Sequence, residues 1–347
     1  MKIKSLQINN FRGIEQLELN FSQRTTVLVG INGVGKTAIL ECLAILLFYS
    51  LLNRITHPGN FLNVYKRSDF YSDANQIRNQ ITIYFEKHEV TLVNTSSKNG
   101  KNTFLSSGSQ KQVKSIIEKI QSNLDNNPKA SIPLVIYYPV NRAIFDVDMS
   151  LNIIEKPDFH QFTALDWAFY DKYREFPSFF EWFRNREDIE NEERLNSDGE
   201  YRDTQLEAVR KAVQSLMPDY SDLRVRRSPL RMTLMKQGHE LIINQLSDGE
   251  KCLLALTGDL ARRLAIANPA LPNPLYGQAI VLIDEVELHL HPQWQRQVIP
   301  ALENTFPNCQ FVVSTHSPQV ISEVQRQERN VYFLRSTAEG IVAEINL

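Results

Sequence analysis

A glycine-rich segment near the N-terminus carries the residues with the clearest chemistry. Residues 30–37 read Gly-Ile-Asn-Gly-Val-Gly-Lys-Thr and match the pattern G-x-x-x-x-G-K-[ST]. Glycines let a backbone wrap around an anion with its N–H groups pointing inward, and a following helix presents its positive end to phosphates. We expect Lys36 to face solvent in the empty site and to reach the β- and γ-phosphates of a nucleotide when one is bound. We expect the Thr37 hydroxyl to bind Mg²⁺. The predicted nucleotide-binding residues of this segment are Gly30, Asn32, Gly33, Gly35, Lys36, Thr37 and Ala38.

Two neighbouring carboxylates and a histidine follow apolar runs later in the chain. Residues 280–283 read Ile-Val-Leu-Ile and precede Asp284 and Glu285. A buried strand that ends in this way places both acids at the edge where parallel α/β sheets bind ligands. We expect Asp284 to contact Mg²⁺ and Glu285 to orient the attacking water or act as a base. His316 follows another apolar run, and we expect it to contact a γ-phosphate, with a purely structural histidine as the alternative.

A small hydroxyl residue and a glycine open another predicted helix. Residues 246–251 read Leu-Ser-Asp-Gly-Glu-Lys, and the helix N-terminus there is a second candidate anion site, through Ser247 and Gly249. The alternative is an ordinary helix cap in which Ser247 and Glu250 form a capping box. The position of this segment between the glycine-rich loop and the acidic pair favours the functional interpretation.

The elements that must position these residues alternate between apolar strands and helices. Buried strands are predicted at residues 25–29, 134–138, 279–283 and 310–313. Their alternation with helices, including one over 247–268, argues for an α/β fold with a largely parallel sheet. Strands at 2–8, 17–21, 81–85 and 89–93 predict an antiparallel N-terminal sheet. The polar stretch 94–112 is predicted to be a mobile loop or hairpin tip.

Residues 160–217 mix aromatic and charged residues at helical spacing and predict a helical hairpin inserted into the α/β fold. The expected domains are therefore 1–150, 151–222 and 223–347. The first arm is rich in rings, namely Phe176, Phe179, Phe180, Trp182 and Phe183. We expect part of this set to form a partner-binding surface, with packing inside the hairpin as an equal alternative.

Composition narrows the class of protein. The 347 residues contain 38 Lys and Arg against 40 Asp and Glu, so the formal net charge of −2 excludes a strongly basic nucleic-acid coat protein. A local groove for DNA stays open, because Arg224, Arg226, Arg227 and Arg231 form the densest basic run; a solvated sheet face is the alternative. Arg262 and Arg263 are expected at the surface or in salt bridges.

Cysteine content and hydropathy indicate the compartment. Cys42, Cys252 and Cys309 are far apart and form no C-x-x-C pair, which argues against a disulfide framework or zinc ribbon. No secretory signal is apparent, and the most apolar run, residues 38–52, is too short to span a bilayer and contains Glu41. We expect a cytoplasmic protein without a membrane partner.

Taken together, these segments resemble the ABC-type ATPases, and most closely the branch that contains the SMC, RecF and OLD-like proteins. The glycine-rich segment is similar to their Walker A motif, and residues 246–250 are similar to the signature LSGGQ, with Asp248 and Glu250 as departures common in that branch. Residues 280–292 are similar to the Walker B motif and D-loop, and residues 314–317 to the switch-histidine segment. Asn10-Phe11-Arg12-Gly13 resembles the N-F-[KR]-G start of these heads.

The resemblance covers residues 1–50 and 240–335 well and the middle only in outline. It implies an ABC-type P-loop ATPase head of α/β class with a mixed, largely parallel sheet, an antiparallel N-terminal sheet and the inserted hairpin. It also implies ATP and Mg²⁺ as ligands and a homodimer or higher homo-oligomer. In such an assembly each P-loop faces the Ser247 signature of the other protomer across a shared ATP.

A second, looser resemblance concerns the aromatic arm. Residues 179–188 look like a run in small bacterial ATPases of the PtuA-like kind, which are often encoded beside a nuclease in antiphage systems. It implies control of DNA engagement or of a separately encoded nuclease. A DNA-repair ATPase of the RecF or SMC type and a nucleotide-gated scaffold that does not hydrolyse ATP are the alternatives.

Two assignments near these motifs stay open. His289 and His291 form an H-x-H pair close to Glu285 and Glu287, which could hold a metal. The resemblance assigns them instead to the D-loop, where protomers meet. A Q-loop contact could come from Asn141 or Arg142, after the predicted strand 134–138.

Overall fold

The computed structural model describes residues 1–52, 65–86, 88–99, 103–140, 160–166, 168, 175–196, 199–324, 330–337 and 340–346. The chain divides into two compact units. The first contains Met1–Tyr138, Gln278–Val286 and Asn308–Leu347, and the second contains Pro139–Gly277 and Glu287–Pro307. The three-domain division expected from the sequence stays a prediction.

A six-stranded sheet in the first unit contains the predicted buried strands. In spatial order it consists of β14 (Gly340–Asn346), β13 (Asn330–Thr337), β3 (Thr25–Val29), β12 (Gln310–Thr315), β11 (Ala279–Ile283) and β7 (Leu134–Tyr138). All neighbours are parallel except the antiparallel pair β13–β14. Every residue of β3 and β11 is buried, as in strands covered on both faces. The mixed, largely parallel sheet is therefore confirmed.

A five-stranded antiparallel sheet lies in the same unit. Its order is β2 (Ile14–Asn20), β1 (Lys2–Phe11), β4 (Gln76–Phe85), β5 (His88–Ser97) and β6 (Thr103–Leu105). The helix after the glycine-rich segment, α1 (Lys36–Leu47), contacts β1 and β4 of this sheet and β7, β11 and β12 of the other. A helix covered on so many sides needs apolar residues all around its surface, which explains the continuous apolar run in its sequence.

The stretch predicted as a mobile loop differs in the structure. Residues 94–97 extend β5, and a helix, α2 (Ser107–Asn126), starts inside the predicted loop. The Ser106 side chain accepts a hydrogen bond from the backbone N–H of Ser109 and so caps this helix. Val113, Ile116 and Ile120 are buried at helical spacing. The loop prediction was wrong because it relied on the polar composition of the stretch and overlooked the helical spacing of these few apolar residues.

The second unit combines helices with a small antiparallel sheet. Its helices are α3 (Glu175–Asn196), α4 (Thr204–Leu216), α5 (Asp248–Ala267) and α6 (Pro292–Thr305). Its sheet has the order β10 (His239–Ile242), β9 (Leu230–Lys236), β8 (Tyr220–Arg227). The predicted helical hairpin is present as the consecutive helices α3 and α4, and both pack against α5. A short helix of the first unit, α7 (Pro318–Val324), follows β12.

The aromatic residues of α3 do not form a partner surface, so that expectation is wrong. The five rings, Phe176, Phe179, Phe180, Trp182 and Phe183, are between 0% and 6% exposed within their own chain. Phe179 stacks edge-on against Phe176 and Phe183. A Cβ atom added to Gly258 of α5 would approach the Phe179 ring to 2.7 Å, so α5 has a glycine where this ring packs. The rings are core residues of the second unit.

Charged residues also contribute to this core. Asp259 is fully buried and accepts hydrogen bonds from Arg262 and Arg263, with 2.7 Å from Arg263 Nε to Asp259 Oδ2. Arg263 also donates to the carbonyl oxygens of Ala164 and Asp166. The expected salt bridges are confirmed, but both arginines are buried rather than at the surface. None of the described helices is both long and apolar enough to cross a membrane.

Candidate functional site

The carboxyl ends of three neighbouring parallel strands bring the first-unit motifs together. In the order β3, β12, β11, Val29 pairs with Thr315, and Val313 pairs with Ile283. The glycine-rich segment follows β3, His316 follows β12, and the acidic pair follows β11. Strand order therefore brings the glycine-rich segment next to an acidic pair and a histidine that follow it by more than 200 residues in sequence, as the predicted parallel sheet requires.

The glycines of the P-loop meet two distinct backbone demands. Gly35 has a φ of 100° and precedes the first residue of α1, a left-handed conformation that favours glycine. A Cβ atom at Gly30 would lie 2.7 Å from Val34 Cγ1 and 3.0 Å from the Leu334 carbonyl oxygen. Asn32 and Gly33 are exposed, whereas Ala38 is buried in the first turn of α1. The loop is therefore built as the sequence pattern predicts.

Lys36 lies within the loop rather than in solvent. Its side chain is 5% exposed, and its Nζ donates hydrogen bonds of 2.7 Å to the Gly30 carbonyl and 3.0 Å to the Ile31 carbonyl. We expected a solvent-facing lysine from the sequence, and that expectation is wrong. The loop's own carbonyl oxygens hold the ammonium group at the wall of the site.

A chain of hydrogen bonds joins the P-loop to the acidic pair. The Thr37 hydroxyl donates to Asp284 Oδ2 at 2.6 Å, and the Ser314 hydroxyl donates to Asp284 Oδ1. The same Ser314 oxygen accepts the backbone N–H of Glu285 at 2.8 Å. Asp284 is 1% exposed and Ser314 is fully buried. One buried serine of β12 therefore fixes both predicted acids.

Glu285 and His316 stand at the open side of this arrangement. Glu285 has a φ of 47°, a left-handed conformation that costs a non-glycine residue energy and is typical of functional sites. The N–H bond to Ser314 and the bond from the Val286 N–H to the Ser314 carbonyl, at 3.0 Å, hold this turn. His316 is exposed directly after the last residue of β12. Both side chains are therefore located next to the P-loop edge of the sheet.

The oxygen atoms of Thr37 and Asp284 fit a hard divalent cation. Mg²⁺ prefers oxygen ligands and is usually bound through one or two protein groups plus phosphates and water. A hydroxyl and a buried carboxylate 2.6 Å apart at the P-loop supply such a pair. Among the described residues, no group of three or more His, Cys, Asp and Glu could hold a metal by itself. The H-x-H pair therefore gains no support, and the His291 ring instead accepts the Gln293 N–H at the start of α6.

The signature segment belongs to the second unit and forms the N-terminus of α5. Ser247 is its N-cap, and Ser247 and Glu250 make the capping box that was the alternative interpretation. Ser247 and Asp248 are exposed, and Gly249 packs so closely that an added Cβ would lie 2.3 Å from the His289 carbonyl oxygen. A cavity of about 620 Å³ opens here, lined by residues 247–250, 289–291 and Trp294.

Other predicted contacts have different outcomes. Asn141 and Arg142 lie outside the described residues. Each of Arg224, Arg226 and Arg227 forms an ion pair with an acid, respectively Asp222, Glu240, and both Glu187 and Asp188. Arg12 of the N-F-R-G start pairs with Glu41 of α1 and, at 2.9 Å, with Asp69.

Sequence reasoning missed the roles of Ser314, Tyr220 and Lys236. Ser314 had one available signal, since it is a polar residue within a buried strand next to the acidic pair. Tyr220 and Lys236 both contact Glu250 of the capping box, and nothing in their local sequence indicates this.

The fold and site define a P-loop ATPase with the head fold of SMC proteins. The SMC head domain from Thermotoga maritima matches with a TM-score of 0.55 and 15% identity, over 100% of both chains. The Smc head bound to the C-terminal domain of ScpA from Pyrococcus furiosus matches with a TM-score of 0.56 and 16% identity, over 99% of this chain and 96% of that one. At these identities the likeness establishes the fold alone.

The family model described as "AAA domain, putative AbiEii toxin, Type IV TA system" matches residues 25–322, and the chain belongs to this family of ATPases. The retron Vc95 probable ATPase of Vibrio cholerae is 31% identical over 94% of this chain and 73% of its own length. The retron Ec83 probable ATPase of Escherichia coli is 31% identical over 97% of this chain and 72% of its own length. The Septu protein PtuA of Bacillus thuringiensis is 22% identical over 92% of this chain and 72% of its own length. The resemblance to SMC-like ATPases with links to defence systems is confirmed.

Proposed function

We propose that this ATPase is a switch of bacterial antiphage defence, in which two copies close around two ATP molecules. The closed state controls the engagement of DNA or of a partner nuclease. The observation that carries this proposal is the chain of hydrogen bonds from Thr37 through Asp284 and Ser314 to Glu285. It holds a cation-binding pair and a candidate water-orienting acid in fixed positions beside a P-loop.

The P-loop residues bind and orient the triphosphate. The backbone N–H groups of residues 30–35 and the N-terminus of α1 favour phosphate oxygens, and Gly33 and Gly35 allow the required left-handed turns. Lys36 exchanges its bonds to the Gly30 and Ile31 carbonyls for the β- and γ-phosphates. Thr37 and Asp284 would hold Mg²⁺, which neutralises charge on the phosphate oxygens when it is bound.

Hydrolysis then depends on Glu285 and His316. The Glu285 carboxylate orients the attacking water and accepts its proton, while His316 stabilises charge on the γ-phosphate. Positioning and electrostatics supply almost all the catalysis of phosphoryl transfer, so a rigid support for Glu285 has a direct kinetic value. The buried Ser314 hydroxyl provides that support through the Glu285 backbone N–H.

The second half of the site comes from another copy of the chain. Ser247 and Gly249 at the N-terminus of α5 contact the γ-phosphate bound by the P-loop of the other protomer. The exposure of Ser247 and the open cavity of about 620 Å³ beside it support this, because an interface residue must be accessible before association. The positive end of a 20-residue helix favours an anion at this position.

A separately encoded nuclease or effector is the proposed partner. Two retron ATPases and a Septu protein match along 92–97% of this chain, and their names associate them with retron and Septu systems. DNA binding through the basic run gains less support, because carboxylates already pair three of its four arginines, namely Arg224, Arg226 and Arg227.

Light scattering of three variants with ATP and Mg²⁺ tests the two-copy mechanism. Glu285→Gln keeps the side-chain shape and loses the charge, so it should bind ATP, accumulate the closed state and slow hydrolysis by about 100-fold or more. Ser247→Arg should bind ATP, but it should neither form the closed dimer nor hydrolyse ATP. The double variant Ser247→Arg with Glu285→Gln should behave like Ser247→Arg. Ordinary hydrolysis by Ser247→Arg would mean that the signature does not complete the site.

Co-expression with the neighbouring genes tests the partner. A nuclease should copurify with the chain, and its cleavage of DNA should differ between the Glu285→Gln and wild-type complexes in the presence of ATP. Cleavage that is independent of the nucleotide state of this chain would contradict the proposed control.

A further inference from the structure

Glu250 is the most heavily bonded residue of the signature segment. Its carboxylate accepts the Ser247 N–H at 2.8 Å, the Ser247 hydroxyl at 2.9 Å, and the Lys236 ammonium at 2.8 Å. The Tyr220 hydroxyl also donates to it. Lys236 and Tyr220 lie at the end of β9 and the start of β8, so the Glu250 carboxylate links the signature segment to the small sheet.

The contact with Glu250 occupies the single proton of the Ser247 hydroxyl group. A serine hydroxyl carries one hydrogen, and here it points to Glu250 Oε2, while the oxygen accepts the Glu250 backbone N–H at 3.4 Å. A phosphate oxygen can only accept a hydrogen bond. Ser247 therefore has to release Glu250 before it donates to a γ-phosphate.

The negative charge of Glu250 must also be compensated before a phosphate can approach Ser247. Burial alone would raise the pKa of this carboxyl, but hydrogen bonds from Lys236, Tyr220 and Ser247 lower its pKa to about 2. Glu250 is therefore ionised at physiological pH and would repel an approaching phosphate. Lys236 offsets that repulsion, and its ammonium also lies 4.8 Å from the centre of the Tyr220 ring.

We propose that Glu250 acts as a latch on Ser247, meaning that its hydrogen bond keeps the Ser247 hydroxyl from donating to a nucleotide. We further propose that Lys236 is a positioning residue that controls this latch. Lys236 holds the Glu250 carboxylate and neutralises it, so that Ser247 can turn its hydroxyl toward the nucleotide of the other protomer. The β8–β9–β10 sheet is thereby coupled to ATP-driven closure. This inference rests on the proposed two-copy site and names two residues that regulate it.

The test measures the dissociation constant of the ATP-bound dimer in the Glu285→Gln background by analytical ultracentrifugation. Glu250→Gln removes the repelling charge and should tighten the dimer about tenfold, whereas Lys236→Met leaves that charge uncompensated and should weaken it about tenfold. The dimer of the double variant Lys236→Met with Glu250→Gln should have a dissociation constant within about threefold of that of Glu285→Gln alone. Lys236→Arg should keep most of the affinity.

Two controls separate this role from general stability. Glu240→Gln removes a carboxylate that pairs with Arg226 and Thr233 in the same small sheet, and it should leave the dimer unchanged. Fluorescent-nucleotide binding to the P-loop should be equal in all variants. If Glu250→Gln and Lys236→Met both weaken the dimer and the double variant is no better, the contacts are only a structural staple and the latch is wrong.

Failure of the proposed function gives a different pattern. If Ser247→Arg hydrolyses ATP normally, the two-copy site is wrong, and the latch falls with it. If Ser247→Arg is inactive but the opposed effects are absent, only the latch is wrong. Should the chain already be dimeric without ATP, kcat/KM for ATP in the wild-type background replaces the dissociation constant, and the same order of variants is expected.

Discussion

The P-loop region and the signature region present polar groups in opposite ways. In the first unit, Asp284, Ser314 and Lys36 are 1%, 0% and 5% exposed, and each is hydrogen-bonded to adjacent strands or to its own loop. In the second unit, Ser247 and Asp248 are exposed at a helix N-terminus beside an open cavity. The polar side chains of the P-loop region are therefore held in position before a nucleotide binds, whereas those of the signature region are accessible to another molecule.

The difference follows from the elements that build each region. The edge of a parallel sheet collects the ends of distant segments, so each polar group finds partners from a neighbouring strand. A helix N-terminus has backbone N–H groups without intrahelical partners, and side-chain caps satisfy only part of them. The sheet edge therefore suits catalysis in one chain, and the helix end suits recognition of an anion held by another.

The largest expected effect comes from the most enclosed cation of the P-loop. Lys36→Met keeps most of the side-chain volume and removes the ammonium group, so ATPase activity should fall by about 100-fold or more. Binding of a fluorescent ATP analogue and phosphate release measure the effect. Lys211→Met, an exposed lysine of α4, is the matched control and should behave like the wild type. Wild-type hydrolysis by Lys36→Met would contradict the P-loop assignment.

A smaller effect is expected at Ser314. Ser314→Ala removes the hydroxyl that holds Asp284 and leaves the Glu285 N–H without that acceptor, so kcat should fall about tenfold to 100-fold. KM for ATP should change much less, because the P-loop itself is intact. Ser322→Ala, at an exposed serine of α7, provides the control. An unchanged kcat would show that the buried network does not position the acids.

The smallest effect is expected on the outer face of the second unit. The Arg226–Glu240 pair is 42% and 35% exposed, and exposed ion pairs contribute about 0–1 kcal/mol. Arg226→Gln should therefore change the free energy of unfolding by less than about 1 kcal/mol and leave ATP hydrolysis unchanged. Urea unfolding and a phosphate-release assay check both values. A large loss of ATPase activity would show that this face is part of the site after all.

The first unit could be predicted well because its signals are local and strong. Short runs of five apolar, β-branched or aromatic residues indicated β3, β7 and β11, and the glycine pattern indicated the P-loop and the start of α1. The strand order could not be read from these runs, since it depends on pairing between distant segments. Ser314 was missed for that reason: its partners, Asp284 and Glu285, directly follow β11 and are 30 and 29 residues away in sequence.

Errors arose where composition was taken as a guide to exposure. The lysine- and serine-rich stretch before residue 112 suggested a loop, but buried Val113, Ile116 and Ile120 form one face of α2. The rings of α3 suggested a partner surface because a two-helix arm was expected to be exposed to water on all sides, yet α3 packs against α5. Lys36 was expected to face solvent in the empty site, whereas two backbone carbonyls bind its ammonium group in a buried position.

Cross-linking between two variants, each with one introduced cysteine, tests the central claim most directly. The native cysteines Cys42, Cys252 and Cys309 are all buried, so exposed cysteines introduced by Asn32→Cys and Asp248→Cys should react selectively with a short bis-maleimide. The two variants are made separately in the Glu285→Gln background and then mixed, so any link between residues 32 and 248 joins two chains. The claim predicts a covalent dimer of the mixed pair with ATP and Mg²⁺, and little without ATP or when Asn32→Cys is paired with Lys129→Cys. No ATP-dependent link between residues 32 and 248 would contradict the proposal that the signature of one copy completes the nucleotide site of the other.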